Sequence, residues 1–152
     1  MEISRRTDYA IRLIAALTLS RGTPLSVREA AEMQDVPYAF ARSIQHDLVR
    51  AGFLNTIRGA QGGMVLAVDP AELTLYTLIE AVQGPVSVAI CATDREWCQR
   101  HRGCPFHQVW LGANDLLSNY LKSVSIQQLI DGEFAHLTAQ TAQVAALTAA
   151  NA

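Results

Sequence analysis

Residues 26–52 of the chain, SVREAAEMQDVPYAFARSIQHDLVRAG, contain two helix starts separated by a short break. Ser26 and Glu29 have the spacing of a capping box, in which each side chain bonds the backbone amide of the other residue. A second helix is expected to begin at Pro37 and to end before Gly52, since proline suits a first helical turn and glycine a left-handed cap. Two short helices joined by a tight turn are typical of a helix-turn-helix.

The second of these helices divides its side chains between two faces. Its apolar residues are expected on the inner face, and they are Phe40, Ile44, Leu48 and Val49. Polar residues remain for the outer face, which in a helix-turn-helix lies in the major groove of DNA. The candidates for DNA contacts there are Tyr38, Arg42, Ser43 and His46. Arg42 is the best candidate for a bidentate contact to guanine, because a guanidinium matches the two acceptors that guanine presents in this groove.

The segments on either side extend this unit to a winged helix-turn-helix. Residues 8–20 have apolar side chains close to helical spacing, which predicts a preceding helix. Residues 53–68, FLNTIRGAQGGMVLAV, contain two β-prone runs around a Gly-rich turn and predict a β-hairpin in the position of a wing. Arg58, near the tip of this hairpin, is placed to touch phosphate or enter a minor groove. Arg5 and Arg6 are further candidates to hold phosphates.

The composition fits one small domain with an appended helical element, since half of the 152 residues are hydrophobic. Residues 1–66 have eight Arg against six acidic residues, whereas residues 67–152 have four basic against eight acidic residues. This asymmetry is compatible with a basic face for phosphate, although charge alone favours a solvated, Arg-bearing surface. We expect a cytoplasmic protein without a membrane partner, because no signal-peptide pattern or span-length apolar run is present.

A second amphipathic helix is expected late in the chain. Its apolar positions recur at helical spacing over four turns, and they are Phe106, Val109, Trp110, Ala113, Leu116, Leu117, Tyr120 and Leu121. Little core is left for so broad a stripe to cover, so we expect a homodimer. The chain then divides into a DNA-binding domain (1–84), a cysteine loop (85–105), dimerisation helices (106–132) and a tail (133–152) that is either a frayed helix or disordered.

All three cysteines lie in residues 91–107, CATDREWCQRHRGCPFH, as Cys91, Cys98 and Cys104. Their odd number and an expected reducing compartment argue against a disulfide framework. Iron–sulfur clusters take thiolate ligands, and histidine can replace one of them, which makes His107 a further candidate. Structural zinc usually has cysteines spaced more tightly. His101 is a competing imidazole.

The cysteines could also serve in packing or in catalysis. Buried cysteines act as small hydrophobic residues, but the polar segment around Cys98 offers no obvious core in which to pack. A cysteine-dependent enzyme would need Cys91 or Cys104 to be activated by His107. No glycine loop of the oxyanion type and no third orienting residue accompanies such a pair, so we do not expect an enzyme.

Four motifs give the chain a resemblance to a known family. They are TDYAIR at residues 7–12, AGFLNTIRGAQGGMVLA at 51–67, LTLYTLIEAVQGPV at 73–86, and the three-cysteine loop followed by CPFHQVW at 104–110. From Met1 to about Gly132, the chain resembles the winged-helix family of bacterial iron–sulfur transcription regulators that includes IscR and NsrR. The combination of the RGxxGG wing with the later cysteine triplet is specific.

The resemblance implies a homodimer that binds a pseudo-palindromic operator and whose DNA affinity changes with the state of an iron–sulfur cluster on the three cysteines. In IscR-like members the cluster is 2Fe–2S and the fourth ligand falls on His107. In NsrR-like members the cluster is 4Fe–4S and the fourth ligand, from the other subunit, falls on Asp8. Both residues are present here. Positions that are polar in the recognition helix of IscR-like members are Pro37, Ala39 and Phe40, which argues against an IscR-type operator.

The leading hypothesis is therefore a transcription regulator that senses redox, nitric oxide or iron–sulfur status through a cluster. The alternative is a DNA-binding regulator of the same fold without a cluster, which uses a cysteine thiol switch or binds zinc. Metal analysis and visible absorption distinguish the two.

Overall fold

The computed structural model describes residues 1–94, 96–100 and 102–132. His101 and the predicted tail at 133–152 lie outside these described residues. The elements are α1 (Arg5–Leu19), α2 (Val27–Met33), α3 (Tyr38–Arg50), β1 (Leu54–Ile57), β2 (Gly63–Leu66), α4 (Leu75–Gln83), α5 (Ile90–Thr93), α6 (Pro105–Lys122) and α7 (Ile126–Asp131). The predicted mainly helical fold with one hairpin is confirmed.

Capping side chains set where several of these helices begin. Ser26 and Glu29 form the predicted capping box at α2, and Ser125 and Gln128 form an equivalent box at α7. Helix α1 begins earlier than predicted because the hydroxyl of Ser4 accepts a hydrogen bond from the amide of Thr7. These local contacts satisfy backbone donors that a helix start leaves unpaired.

The main core lies where α1, α3, α4 and α7 meet around the hairpin. Its largest fully buried side chains include Leu13, Ile14 and Leu17 of α1 and Ile44 and Leu48 of α3. Helix α7 contributes the buried Ile126 to the same core, and the amide of Ile126 donates to the carbonyl of Leu73 at 2.9 Å. The chain therefore returns to its N-terminal core after the long helix α6.

The predicted inner face of α3 is wrong at two positions. Phe40 and Val49 are 49% and 39% exposed, whereas Ala41, Ile44 and Leu48 are fully buried. Ala41 is buried on the side of α3 that carries Ile44 and Leu48, and α3 packs against both α1 and α2. Phe40 lies on a flank of the helix, where its ring meets Tyr9 edge-on with 5.7 Å between ring centroids.

The hairpin is fastened to the helix-turn-helix by a backbone bridge. Strands β1 and β2 pair antiparallel, with Leu54 opposite Leu66 and Ile57 opposite Gly63. Met64 of β2 exchanges two backbone hydrogen bonds, of 2.7 and 3.1 Å, with Leu25 just before α2. This bridge holds the hairpin next to the start of α2.

Helix α6 is much less enclosed than the helices of the core. It packs against α4 and α5, and its buried side chains are His107, Ser118 and Leu121. Leu121 joins Ile79 and Val86 in a small second cluster. Across the described residues, no helix is both long enough and apolar enough to cross a membrane.

Candidate nucleic-acid interface and cysteine segment

The outer face of α3 carries the side chains that the sequence assigns to DNA. Tyr38, Arg42, Ser43 and His46 are all exposed on α3. Arg42 and His46 are one helical turn apart and therefore lie side by side on the same face. An exposed face with a guanidinium and an imidazole provides donors of the kind that read base edges in a major groove.

Helix α2 adds an arginine that the sequence pattern did not indicate. The guanidinium of Arg28 lies 4.7 Å from the centroid of the Tyr38 ring, which is a cation–π contact. Arg28 is exposed and stands in the first turn of α2, so it adds positive charge where α2 meets the start of α3. Only the turn between the two helices brings this pair together.

Two residues predicted to contact DNA, Arg6 and Ser43, contact each other in the folded chain. Arg6 of α1 donates to the hydroxyl of Ser43 at 3.0 Å and, through Nε, to Asp47 Oδ2 at 3.1 Å. A second nitrogen of Arg6 also pairs with the same carboxylate oxygen. Asp47, which no sequence signal singled out, is thus the centre of a link between α1 and α3.

The wing owes its shape to two adjacent glycines. A Cβ on Gly62 would lie 2.1 Å from the carbonyl oxygen of Ile57, and one on Gly63 would lie 2.6 Å from the backbone of Leu25. Neither position has room for a side chain, which explains the paired glycines of the wing motif in physical terms. Arg58 follows β1 directly and is exposed at the tip of the hairpin.

The first helix places its remaining candidates at the surface. Arg5 is exposed at the start of α1. Asp8, the candidate ligand from a second subunit, is half-exposed and pairs with Arg12 one turn later at 3.0 Å. Its carboxylate is therefore accessible to a second copy of the chain.

The cysteines occupy three different settings within one segment. Cys91 lies in α5, Cys98 in the loop that follows it, and Cys104 is the N-cap residue of α6. No disulfide joins any two of them, and all three have intermediate exposure. His107, in the first turn of α6, is only 5% exposed.

This set of side chains fits an iron–sulfur cluster in chemical kind, because it offers three thiols and an imidazole. Its position also suits an anionic group, since Cys104 stands at the N-terminus of an 18-residue helix. Within residues 1–94, 96–100 and 102–132, however, no three His, Cys, Asp or Glu side chains are close enough together to hold a metal ion. The ligands are present, but the described residues do not gather them into one coordination sphere.

The solvent-facing side of α6 and the cysteine segment is strongly apolar. Large side chains that are exposed there are Ile90, Trp97, Phe106, Val109, Trp110, Leu116 and Tyr120. Five of them belong to the apolar stripe that the sequence predicts on α6. Exposed apolar surface of this kind marks a site of protein association.

The helix-turn-helix, its exposed arginine-bearing second helix and the hairpin beside it define a winged-helix DNA-binding protein. The chain belongs to the Rrf2 family, described as iron-dependent transcriptional regulators, whose family model matches residues 3–132. It is a DNA-binding transcription regulator. The prediction that it is not an enzyme is confirmed by this membership.

Named relatives are similar over most of the chain. The HTH-type transcriptional regulator IscR of Photorhabdus laumondii is 25% identical over 134 residues, which span 88% of this chain and 81% of the relative. The HTH-type transcriptional regulator CymR of Bacillus subtilis is 27% identical over 137 residues, which span 88% of this chain and 94% of the relative. The solved structure of CymR, called the global cysteine regulator of that bacterium, matches with a TM-score of 0.74 at 22% identity, over 86% of this chain and 97% of that one. The structural match shows the shared fold.

Proposed function

We propose that the chain acts in the cytoplasm as a homodimer that binds a pseudo-palindromic operator and changes its DNA affinity with the state of an iron–sulfur cluster. The observation that carries the proposal is the position of the cysteines. Cys91, Cys98 and Cys104 form no disulfide with one another and are confined to the segment that leads directly into α6, the helix with the exposed apolar face.

The DNA-binding part would use surfaces that are exposed in the single chain. Helix α3 would enter the major groove with Arg42 directed at a guanine and with Tyr38 and His46 on either side. Arg58 at the wing tip and Arg5 at the start of α1 would hold phosphates. Arg6 is already engaged with Ser43 and with Asp47, so the part of Arg6 and Ser43 in DNA binding differs from that of Tyr38, Arg42 and His46.

The dimer would form through α6. A second copy that covers Trp110, Leu116 and Tyr120 would remove a large apolar face from water, which is the main driving force for association. A two-fold axis at α6 would present two copies of α3, and half-sites of such regulators are spaced about 34 Å apart or at multiples of that distance. A pseudo-palindromic operator follows from this symmetry.

Three cysteines and one further residue would hold the cluster. When bound, an iron–sulfur cluster supplies a centre that reacts with oxidants and nitric oxide. Cys91, Cys98 and Cys104 would supply three thiolates, and the fourth ligand would be His107 for a 2Fe–2S cluster or Asp8 of a second copy for a 4Fe–4S cluster. Cys104 is the N-cap residue of α6, so a change in the ligands of Cys104 would change the position of the first turn of α6.

The loop with the cluster and the loop without it would then differ in how α6 packs against α6 of the second copy. A shift of α6 alters the distance and angle between the two copies of α3. Such a switch requires only a few kcal/mol of difference between two arrangements, since a ligand shifts an equilibrium by its differential affinity for the two states.

The test is anaerobic isolation of the full chain, followed by visible absorption and by iron and sulfide analysis. Asp8→Ala and His107→Ala are compared with the wild-type protein, and the variant whose absorption is lost or altered identifies the fourth ligand. Arg12→Ala is the matched control, because it breaks the Asp8–Arg12 ion pair and leaves the carboxylate in place. A colourless wild-type protein without iron and sulfide, produced in a host with intact cluster assembly, would contradict the proposal.

A second candidate function is a regulator of the same fold that uses a cysteine thiol switch or zinc. Its thiol-switch form is favoured by the observation that the described residues hold no gathered set of metal ligands, while each cysteine is partly accessible. Here DNA affinity would respond to a mild oxidant in metal-free protein, or zinc would co-purify. Cys98→Ser and Cys104→Ser, assayed with and without oxidant, separate this case from the cluster.

A further inference from the structure

We infer that Arg6 is a positioning residue for DNA binding, which holds the recognition helix α3 at a fixed rotation against α1 through Asp47 and Ser43. The inference depends on DNA binding by α3 and is independent of whether the cysteines hold a cluster. It replaces the expectation that Arg6 holds a phosphate and that Ser43 reads a base.

The contacts form one network across the two helices. Arg6 and Asp47 are 41 positions apart in the sequence and are joined by the Nε–Oδ2 bond of 3.1 Å and a second contact to the same oxygen. Arg6 also reaches the hydroxyl of Ser43 at 3.0 Å, and Arg50 pairs with the other carboxylate oxygen of Asp47 at 2.8 Å. With 20% of the Asp47 side chain and 35% of the Arg6 side chain exposed, the network is partly sheltered from water.

The network supplies what the apolar contacts of α3 do not. Apolar packing is non-directional, so the buried side of α3 resists separation from α1 more than it resists a small rotation about the axis of α3. The planar fork of a guanidinium, in contrast, fixes both distance and angle to its acceptors. Ser43 and Asp47 are one turn apart on the flank of α3 that meets α1, so the Arg6 fork engages two successive turns of the helix.

The rotation of α3 decides where its DNA-reading side chains point. Arg42 and His46 are the residues immediately before Ser43 and Asp47, and they are also one turn apart. A rotation that breaks the Arg6 contacts would therefore move both of them around the helix axis together. A bidentate contact to guanine tolerates little displacement, since it needs two donors in the plane of the base.

The negative charge of Asp47 makes the direction of the change in DNA affinity informative when Asp47 is replaced. A carboxylate on a helix that enters a DNA groove repels phosphate, so its removal should tighten DNA binding if only charge mattered. If Asp47 holds Arg6, its removal should instead weaken binding to a specific sequence. Arg6→Lys gives a second sign test, because a lysine still holds a phosphate but lacks the fork.

The experiment compares Arg6→Lys, Asp47→Asn and the double variant of the full chain on two duplexes. One duplex is selected from a randomised pool by the wild-type protein, and the other is a scrambled version of it. Binding is measured by fluorescence anisotropy. We expect each single variant to bind the selected duplex about ten-fold more weakly, and the double variant to be no weaker than either, as for residues that act as one unit. Binding of the scrambled duplex should be unchanged, or tighter for Asp47→Asn.

Arg12→Lys is the matched control, because it makes the same change in an ion pair that stays within α1, and it should keep wild-type discrimination. The inference is overturned if Asp47→Asn binds the selected duplex as tightly as the wild type, or if the two single effects add in the double variant. Loss of both duplexes in Asp47→Asn would indicate loss of the fold. Arg6→Lys then decides the question, and wild-type discrimination in that variant overturns the inference.

Discussion

The DNA-binding part of the chain and the segment that holds the cysteines differ in how completely one chain encloses them. In α1 and α3 the apolar side chains of the inward-facing side are buried, and Leu13, Ile44 and Leu48 are fully inaccessible to water. In α6 the pattern is reversed, since Phe106 and Leu116 are each 69% exposed. The first region encloses its own hydrophobic core, whereas the second region leaves an apolar surface exposed to solvent.

This difference teaches where each part obtains its stability. The winged helix-turn-helix is closed by contacts within one chain, including the Leu25–Met64 bridge and the return of α7. The cysteine segment and α6 leave several large apolar side chains exposed, and in the proposed dimer a second copy would cover them. A regulator can respond to a signal at the incomplete region while its DNA-reading face keeps its shape.

The largest expected effect comes from a matched pair of leucines. Leu48→Ala should lower the free energy of unfolding by about 2–5 kcal/mol, because it leaves a cavity in the core. Leu116→Ala should change the unfolding of dilute, monomeric protein by less than about 0.5 kcal/mol and should instead weaken dimerisation. Urea unfolding at several protein concentrations, together with sedimentation equilibrium, measures both. Equal losses of folding stability in dilute protein would remove the contrast between the two regions.

A second comparison uses three exposed arginines. Arg42→Ala should weaken binding to a selected duplex by about 1–3 kcal/mol, because it removes the contact to guanine. Arg58→Ala should weaken binding to all duplexes and lower the salt dependence of the binding constant by about 0.9 in slope. Arg102→Ala, in the cysteine segment, is the control and should leave DNA affinity in the absence of a signal unchanged. Binding titrations across a range of salt concentrations give all three results. A strong effect of Arg102→Ala would contradict the assignment of DNA contacts to the winged helix-turn-helix alone.

The same substitution at two glycines should have opposite signs. Gly62→Ala forces a Cβ against the carbonyl of Ile57 and should destabilise the wing by about 1–3 kcal/mol, with a loss of DNA affinity. Gly112→Ala in α6 meets no atom within 4 Å and should stabilise that helix by about 0.5–1 kcal/mol. Thermal unfolding and anisotropy separate the two effects. A destabilised Gly112→Ala would show that a second copy packs closely at this position.

The smallest effect distinguishes the two capping boxes. Hydrogen bonds from Ser26 hold the pKa of Glu29 below its ordinary value of 4.5. The contribution of this carboxylate is therefore present above that value and is lost as the pH falls through the lower, folded-state pKa. Glu29→Gln should flatten the acid side of the stability profile, whereas Gln128→Glu should introduce such a dependence at α7. Unfolding from about pH 3 to about 7 measures both, and identical acid profiles for Glu29→Gln and the wild type would contradict the assignment.

Features that depend on neighbours in the sequence were predictable. The capping box at Ser26 and Glu29, the Gly-rich turn of the wing and the helical period of α6 each arise within a few residues, so their signals are complete in a short stretch. The same holds for the exposed positions of Arg42 and Arg58. The helices α1, α2, α3 and α6 and the hairpin followed from these local rules, whereas the short helix α5 was not predicted.

Features that depend on contacts between distant residues could not be predicted from the sequence. Phe40 and Val49 were expected in the core because they are hydrophobic, yet both are exposed, whereas the smaller Ala41 is fully buried in α3, which packs against α1 and α2. From the sequence, Arg6 was expected to be available to a phosphate, but in the structure Arg6 of α1 pairs with Asp47 of α3. Nothing near Ile126 indicated that α7 returns to the first core.

The sequence by itself determined the class of the protein, because helix caps, turn glycines and the amphipathic period each depend on residues that are close together in the sequence. The tertiary structure alone decided which polar side chains pair with one another, as Arg6 and Asp47 do, because ion pairing depends on elements far apart in the chain. It also decided that Cys91, Cys98 and Cys104 stand in three separate settings beside an uncovered helix. The thiols could be counted in the sequence, but their arrangement depends on how the chain packs around them.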